Sequence, residues 1–277
     1  MPTDTHDTAR SAGATAPPLL ISLTAFGASE VRRHGQAWFA RLSHAAGADG
    51  VEVRSELLTD AATELPALAG LVRECGLRAV YSSAEPLWRA DAALDTDALA
   101  RGLEAARTLG APRLKMSIGG FGPASGASLQ ALQARLQDAG VELVIENDQT
   151  PGAGTLPALQ DFFDTANGQG VFLGMTFDVG NWHWLGECPL LAAQALAPQV
   201  RYVHCKGVQR QPRRWVAVPL LESSAPWRAV LRALPASVPW AIEYPLAGDD
   251  LLAVTRRELD QLRSVAAAMA GRARLHA

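Results

Sequence analysis

The sequence predicts a single (β/α)8 barrel. Three observations carry the prediction. Short apolar, β-branched runs alternate eight times with longer segments of helical period. Gly47, Gly76, Gly110 and Gly140 each follow a helical segment, where a left-handed C-cap favours glycine. The length of 277 residues is close to that of one eightfold barrel.

The strand segments are Leu19 to Ala25, Gly50 to Arg54, Ala79 to Ser83, Arg113 to Ser117, Glu142 to Asn147, Leu173 to Asp178, Val200 to Lys206 and Val238 to Tyr244. The helical segments that follow them are Ser29 to Ala46, Ala61 to Cys75, Asp97 to Leu109, Ser128 to Ala139, Thr155 to Ala166, Cys188 to Ala197, Ala225 to Leu234 and Asp249 to Met269. Strict alternation implies parallel strands joined by right-handed crossovers, and eight such units close into a cylinder with no free edge. The competing architecture, a doubly wound open sheet, lacks support because no GxGxxG loop follows the first strand.

Residues 1–18, rich in Thr, Ala, Asp and Pro, read as a disordered leader without the charged start and apolar run of a signal peptide; residues 19–277 read as the catalytic barrel. Hydrophobic residues at 48% and charged residues at 19% supply an ordinary packed core. A formal charge of −3 argues against nucleic acid as partner, and no run is apolar enough to span a bilayer. Cys75, Cys188 and Cys205 show no CxxC spacing and suggest a reducing, cytoplasmic setting. Assembly into a homo-oligomer stays open.

In a barrel the C-terminal strand ends converge on one mouth, where catalysis is found. The later strands are the richer ones: VIEND ends in Glu146, Asn147 and Asp148, FDVGNWHW holds Asp178, Asn181 and His183, VHCKG holds His204 and Lys206, and AIEYPL holds Glu243. A carboxylate or imidazole at the end of an apolar strand is costly unless paired or bound to a metal. Glu146, Asp178, His204 and Glu243 therefore suggest one mixed oxygen and nitrogen site for a divalent ion such as Mn2+, Mg2+, Co2+ or Zn2+.

These motifs resemble those of the xylose isomerase-like TIM-barrel superfamily, which spans sugar phosphate isomerases and epimerases, dehydroshikimate dehydratases and endonuclease IV, and is related to the AP endonuclease family 2 proteins. The resemblance covers about the whole ordered chain and is most specific in its second half. It implies that Glu146, Asp178, His204 and Glu243 are the metal ligands, and that Glu146 and Glu243 double as the acid/base pair on either face of a substrate carbon. The third strand reads VYSSAEPLW, without the histidine of some relatives, and the further histidines of a trinuclear nuclease are missing.

The implied activity is a metal-dependent isomerase or epimerase of a small, sugar-like polyhydroxy carbonyl compound, acting by proton abstraction through an enediolate. A dehydratase of the dehydroshikimate or inosose type would share the same first step. A DNA-repair nuclease and a metal-free sugar-binding protein are the readings from other classes. Glu52, Arg54, Lys115, His183 and Lys206 are the expected substrate contacts: Glu52, Arg54 and Glu56 share one face of the second strand, and Lys206 shares a side with His204. His183 is equally readable as a packed histidine, the indoles of Trp182 and Trp184 as an apolar wall or as packing, and Lys206 as a salt-bridge partner of Glu243 or Asp178. The basic run at 209–215 is either a solvated loop or a lid that offers Arg213 or Arg214 to an anion.

Overall fold

The computed structural model describes residues 16–273, so most of the segment read as a leader lies outside the described residues. The first half contains β1 (Leu19–Ser22), α1 (Ala28–His34), α2 (Gln36–Ala46), β2 (Gly50–Arg54), α3 (Ala61–Glu74), β3 (Arg78–Ser82), α4 (Thr96–Leu109), β4 (Arg113–Met116) and α5 (Leu129–Ala139). The second half contains β5 (Glu142–Glu146), α6 (Pro151–Gly154), α7 (Leu156–Gly168), β6 (Gly174–Asp178), α8 (Pro189–Leu196), β7 (Val200–Cys205), β8 (Gly207–Arg210), β9 (Trp215–Val218), α9 (Trp227–Ala233), β10 (Trp240–Ile242) and α10 (Leu251–Ala273).

Eight of the strands close a parallel barrel in the order β1-β10-β7-β6-β5-β4-β3-β2, as the sequence predicts. Closure is made where Leu19, Leu20 and Ile21 of β1 pair with Trp240, Ala241 and Ile242 of β10. Gly47, Gly110 and Gly140 cap α2, α4 and α5 in the left-handed conformation.

Three local departures have physical causes. The segment expected as one helix from Ser29 to Ala46 is two, because Gly35 at φ +80° breaks the helical path. The first strand stops at Ser22, and Leu23–Phe26 turn as a 3-10 helix. The loop after β7 carries an antiparallel hairpin, with Gly207 opposite Val218 and Arg210 opposite Trp215. Its strands have four residues each, the first ending in Gln and Arg and the second, WVAV, half-buried throughout, so neither shows a clear alternation.

The strand period of two sorts the barrel into an outer and an inner layer. Ile21, Val51, Val53, Leu114, Met116, Ile145 and Phe177 point outward into the large core shared with the helices. Leu20, Val80, Tyr202 and Ala241 form a separate apolar cluster inside the cylinder and floor it. Two residues further along the same four strands stand Ser22, Ser82, His204 and Glu243, so the lumen changes from apolar to polar in a single step toward the C-terminal mouth.

Gly50 opens β2 where space is scarce: a Cβ there would lie 2.5 Å from the Arg78 carbonyl oxygen of the paired strand. Backbone cannot yield as a side-chain tip does. Gly50→Ala is expected to destabilise the barrel by about 1–3 kcal/mol, read as a lower denaturation midpoint with an unchanged slope.

Candidate metal centre

Above the apolar floor, four neighbouring staves bring their polar ends together. Glu146 ends β5, Asp178 ends β6, His204 lies in β7 and Glu243 follows β10. One donor atom from each lies within 4.8 Å of the others, an arrangement able to hold a metal ion. His204 Nδ1 faces into this group, 2.8 Å from Glu146 Oε1, 2.8 Å from Glu243 Oε2 and 3.9 Å from Asp178 Oδ2. A single ring N–H can point at only one of two carboxylate oxygens at 2.8 Å.

Local hydrogen bonds aim Asp178. Its Oδ1 accepts from the backbone N–H groups of Gly180 at 2.7 Å and Asn181 at 2.9 Å, which leaves Oδ2 for the cluster. Asn147 grips the same residue from the adjacent strand: its amide donates to the Asp178 carbonyl at 3.0 Å, and its side-chain oxygen accepts from the Asp178 N–H at 2.8 Å. Asn181 donates in turn to the Asn147 carbonyl at 2.9 Å. These two asparagines stand out in VIEND and FDVGN as strand-end polar residues, but sequence spacing gives them no task.

Three cations surround the carboxylates. Lys115 Nζ lies 2.6 Å from Glu146 Oε2 and 3.3 Å from Glu52 Oε1. Lys206 Nζ lies 2.7 Å from Asp178 Oδ2 and 3.0 Å from Glu243 Oε2. Arg54 reaches Glu243 at 2.7 Å, Glu56 at 2.9 Å and Glu52 at 3.0 Å. The Lys206 contact with Asp178 Oδ2 is an ion pair without hydrogen-bond alignment, so that buried oxygen has no aligned donor.

Charge counting tests whether a divalent ion fits. Five carboxylates, Glu52, Glu56, Glu146, Asp178 and Glu243, share one ion-paired network with three permanent cations. The deficit of two positive charges is what a divalent ion beside a neutral imidazole supplies, and the set of three oxygens and one nitrogen suits Mn2+, Mg2+, Co2+ or Zn2+. The residues fit the ion.

Burial alone would push every one of these carboxyls upward, and the charged neighbours decide the outcome. For Glu52 and Glu243 the imidazole of His204 and the ammonium groups override burial and hold both well below the usual range. Lys115 and His204 do the same more mildly for Glu146. Asp178 goes the other way: burial, reinforced by Glu243, pushes it up to about 6 against the pull of Lys206. Lys115 and Lys206, which burial would lower, are raised by their carboxylate partners and stay charged.

The remaining expected contacts are scattered. Glu52 has no exposed surface and sits behind His204, while Arg54 is 15% exposed. His183 lies in the turn after β6, its ring 4.9 Å from that of Trp215, and belongs to the hairpin edge of the mouth and not to the cluster. Its Nε2 is buried with no hydrogen-bond partner, and burial lowers its affinity for a proton. Trp182 is not part of a sugar-facing wall: it is fully buried and packs 5.3 Å from Phe177 in the outer core. Arg213 and Arg214 lie exposed between the two hairpin strands.

Residues 40–265 match the family described as Xylose isomerase-like TIM barrel. No curated protein matches the chain. Among solved structures, it is similar to L-ribulose 3-epimerase, with a TM-score of 0.69 and 17% identity over 94% of this chain and 98% of that one. It is likewise similar to the probable 3-DHS dehydratase AsbF of Bacillus anthracis, with a TM-score of 0.66 and 14% identity over 88% and 98%. A xylose isomerase-like TIM barrel/4-hydroxyphenylpyruvate dioxygenase fusion protein gives a TM-score of 0.72 and 14% identity over 90% of this chain, which spans only 42% of the fusion. At such identities the likeness is one of fold. No helix among the described residues is long and apolar enough to cross a membrane.

Proposed function

The chain belongs to the xylose isomerase-like TIM barrel family, and from that premise we propose that it is a divalent-metal-dependent isomerase or epimerase of a small, sugar-like polyhydroxy carbonyl compound. The observation that carries the proposal is the meeting of Glu146, Asp178, His204 and Glu243 donor atoms within 4.8 Å at the barrel mouth. These four residues would hold the ion, which when bound acts as a Lewis acid toward the oxygens beside the acidified carbon.

The division of labour follows from exposure. Asp178 and His204 are 0% exposed and can only hold, whereas Glu146 at 15% and Glu243 at 11% retain surface toward the mouth. The two glutamates are therefore the carboxylates that can reach a substrate carbon, one taking its proton and the other returning one. They come from β5 and β10, three staves apart around the cylinder, and so flank the space between them. Lys115 and Lys206, each ion-paired to one of them, keep both carboxylates ionised and supply N–H donors for substrate oxygens. Arg54 fixes Glu243 through its guanidinium.

Lys206 also motivates the second reading, a dehydratase. Its ammonium is 11% exposed beside Glu243, where it can deliver a proton to a departing β-hydroxyl. Incubation of the Mn2+-loaded protein with a panel of aldoses, ketoses and hydroxylated keto acids in D2O separates the two. An isomerase or epimerase places deuterium on a carbon of the recovered sugar, seen by NMR. A dehydratase yields a conjugated product absorbing in the ultraviolet. Absence of both across the panel, with an ion bound, would sink the proposal.

A further inference from the structure

Glu52 is the fully buried carboxylate of the network that the ligand cluster leaves out. It has no exposed surface, so neither solvent nor a substrate touches it. Its Oε2 lies 2.8 Å from His204 Nε2. Its Oε1 lies 3.0 Å from Arg54 Nη1, 3.3 Å from Lys115 Nζ and 3.3 Å from the Ser22 hydroxyl. Three of these partners reach on to the cluster itself: His204 to Glu146 and Glu243, Lys115 to Glu146, and Arg54 to Glu243.

We infer that Glu52 is the positioning residue of the centre, fixing His204 in the metal-loaded protein as the tautomer with the proton on Nε2 and the lone pair of Nδ1 turned toward the ion held with Glu146, Asp178 and Glu243. A carboxylate facing Arg54 and Lys115 is ionised and therefore an acceptor only, so the imidazole nitrogen 2.8 Å away must donate. Without an ion Nδ1 also carries a proton, since Glu146 and Glu243 lie 2.8 Å from it; a metal at Nδ1 would displace that proton, and the one facing Glu52 is the one that stays. The same carboxylate tethers Lys115 and Arg54 by the Nζ and Nη1 atoms that also hold Glu146 and Glu243. A single side chain behind the site thus sets the posture of three residues in front of it. The two-residue spacing from Glu52 to Arg54 puts both on the luminal face of β2, one level apart.

The inference rests on the metal reading above, and its test keeps the two apart. Full-length protein, stripped with a chelator, is titrated with Mn2+ by calorimetry as wild type, Glu52→Gln, Glu52→Leu and His204→Ala. Glu52→Gln keeps the shape and removes the charge, and is expected to weaken binding by about 10–100-fold, with Glu52→Leu weaker still. Long-range 15N NMR of histidine-labelled wild type loaded with Zn2+ needs no variant, and should show the His204 proton on Nε2. Glu52→Gln binding Mn2+ like wild type, while His204→Ala does not, overturns the role of Glu52 alone, and a proton on Nδ1 overturns it together with the place of that nitrogen in the ligand set. Wild type that binds no Mn2+, or His204→Ala that binds it as tightly, overturns the metal reading and this inference together.

Discussion

In the Mn2+-saturated protein, Glu146→Gln and Glu243→Gln each lower turnover by about 10²–10⁴-fold, the range that a positioned acid or base contributes. The amide oxygen of Gln can still face an ion, so measurement at saturating Mn2+ isolates the lost proton transfer from weakened loading. The two variants should differ in what they retain. If each glutamate serves one face of the carbon, Glu146→Gln still exchanges the proton of one epimer with D2O through Glu243, and Glu243→Gln exchanges that of the other through Glu146. Neither interconverts them. Both remaining carboxylates keep their cation, Lys206 and Arg54 for Glu243 and Lys115 for Glu146, so each stays ionised in the absence of the other. Exchange of both epimers by either variant would refute the assignment of one base per face. Loss of a conjugated product from both, with no exchange in either, is the pattern of a dehydratase.

How much of this was legible in the sequence depends on what periodicity records. Glu146, Asp178, His204 and Glu243 each interrupt or end an apolar strand, and a charge in that position demands a partner, so their convergence could be foreseen from strand order alone. Depth could not. Glu52, Arg54 and Glu56 lie on one face by the period of two, yet nothing in that period says that Glu52 stops behind an imidazole while Arg54 reaches past it. The same limit explains Trp182, which sits in a loop pattern but turns outward beneath the helices. The hairpin after β7 was hidden for another reason: QRQPRRW advertises charge, and the partner strand Trp215–Val218 is half-buried along its whole length, without an alternating face to announce it.

His204→Ala carries the other large effect, since the residue is buried completely and three carboxylates lie within 2.8 Å of its ring nitrogens. Removing it takes away the one nitrogen of the candidate ligand set, and the loss of Mn2+ affinity should exceed the ~10–100-fold expected of a change one shell out. The chelated protein should also lose about 3–5 kcal/mol of stability, because Glu52, Glu146 and Glu243 are left buried with a partner missing. Its pH profile adds a sign that a simple cavity would not produce. Burial by itself would lower the imidazole's proton affinity, but Glu243, Glu52 and Glu146 raise it well above its ordinary value of 6.5. A group raised in this way stabilises the fold fully below that value, and the contribution fades as pH climbs through the raised one. Glu52, Glu146 and Glu243, held low, contribute above the ordinary carboxylate range and lose their effect as pH falls. Asp178, pushed up to about 6, opposes them, since ionising it costs stability above its ordinary value; that change is complete before the alkaline limb begins. Urea denaturation of the chelated wild type should therefore show stability falling between the ordinary values of an imidazole, 6.5, and a thiol, 9.0, below the range where Cys205, Lys115 and Lys206 add a limb of their own; His204→Ala should be flat in that window, and a fall there that survives the substitution would refute the assignment to His204.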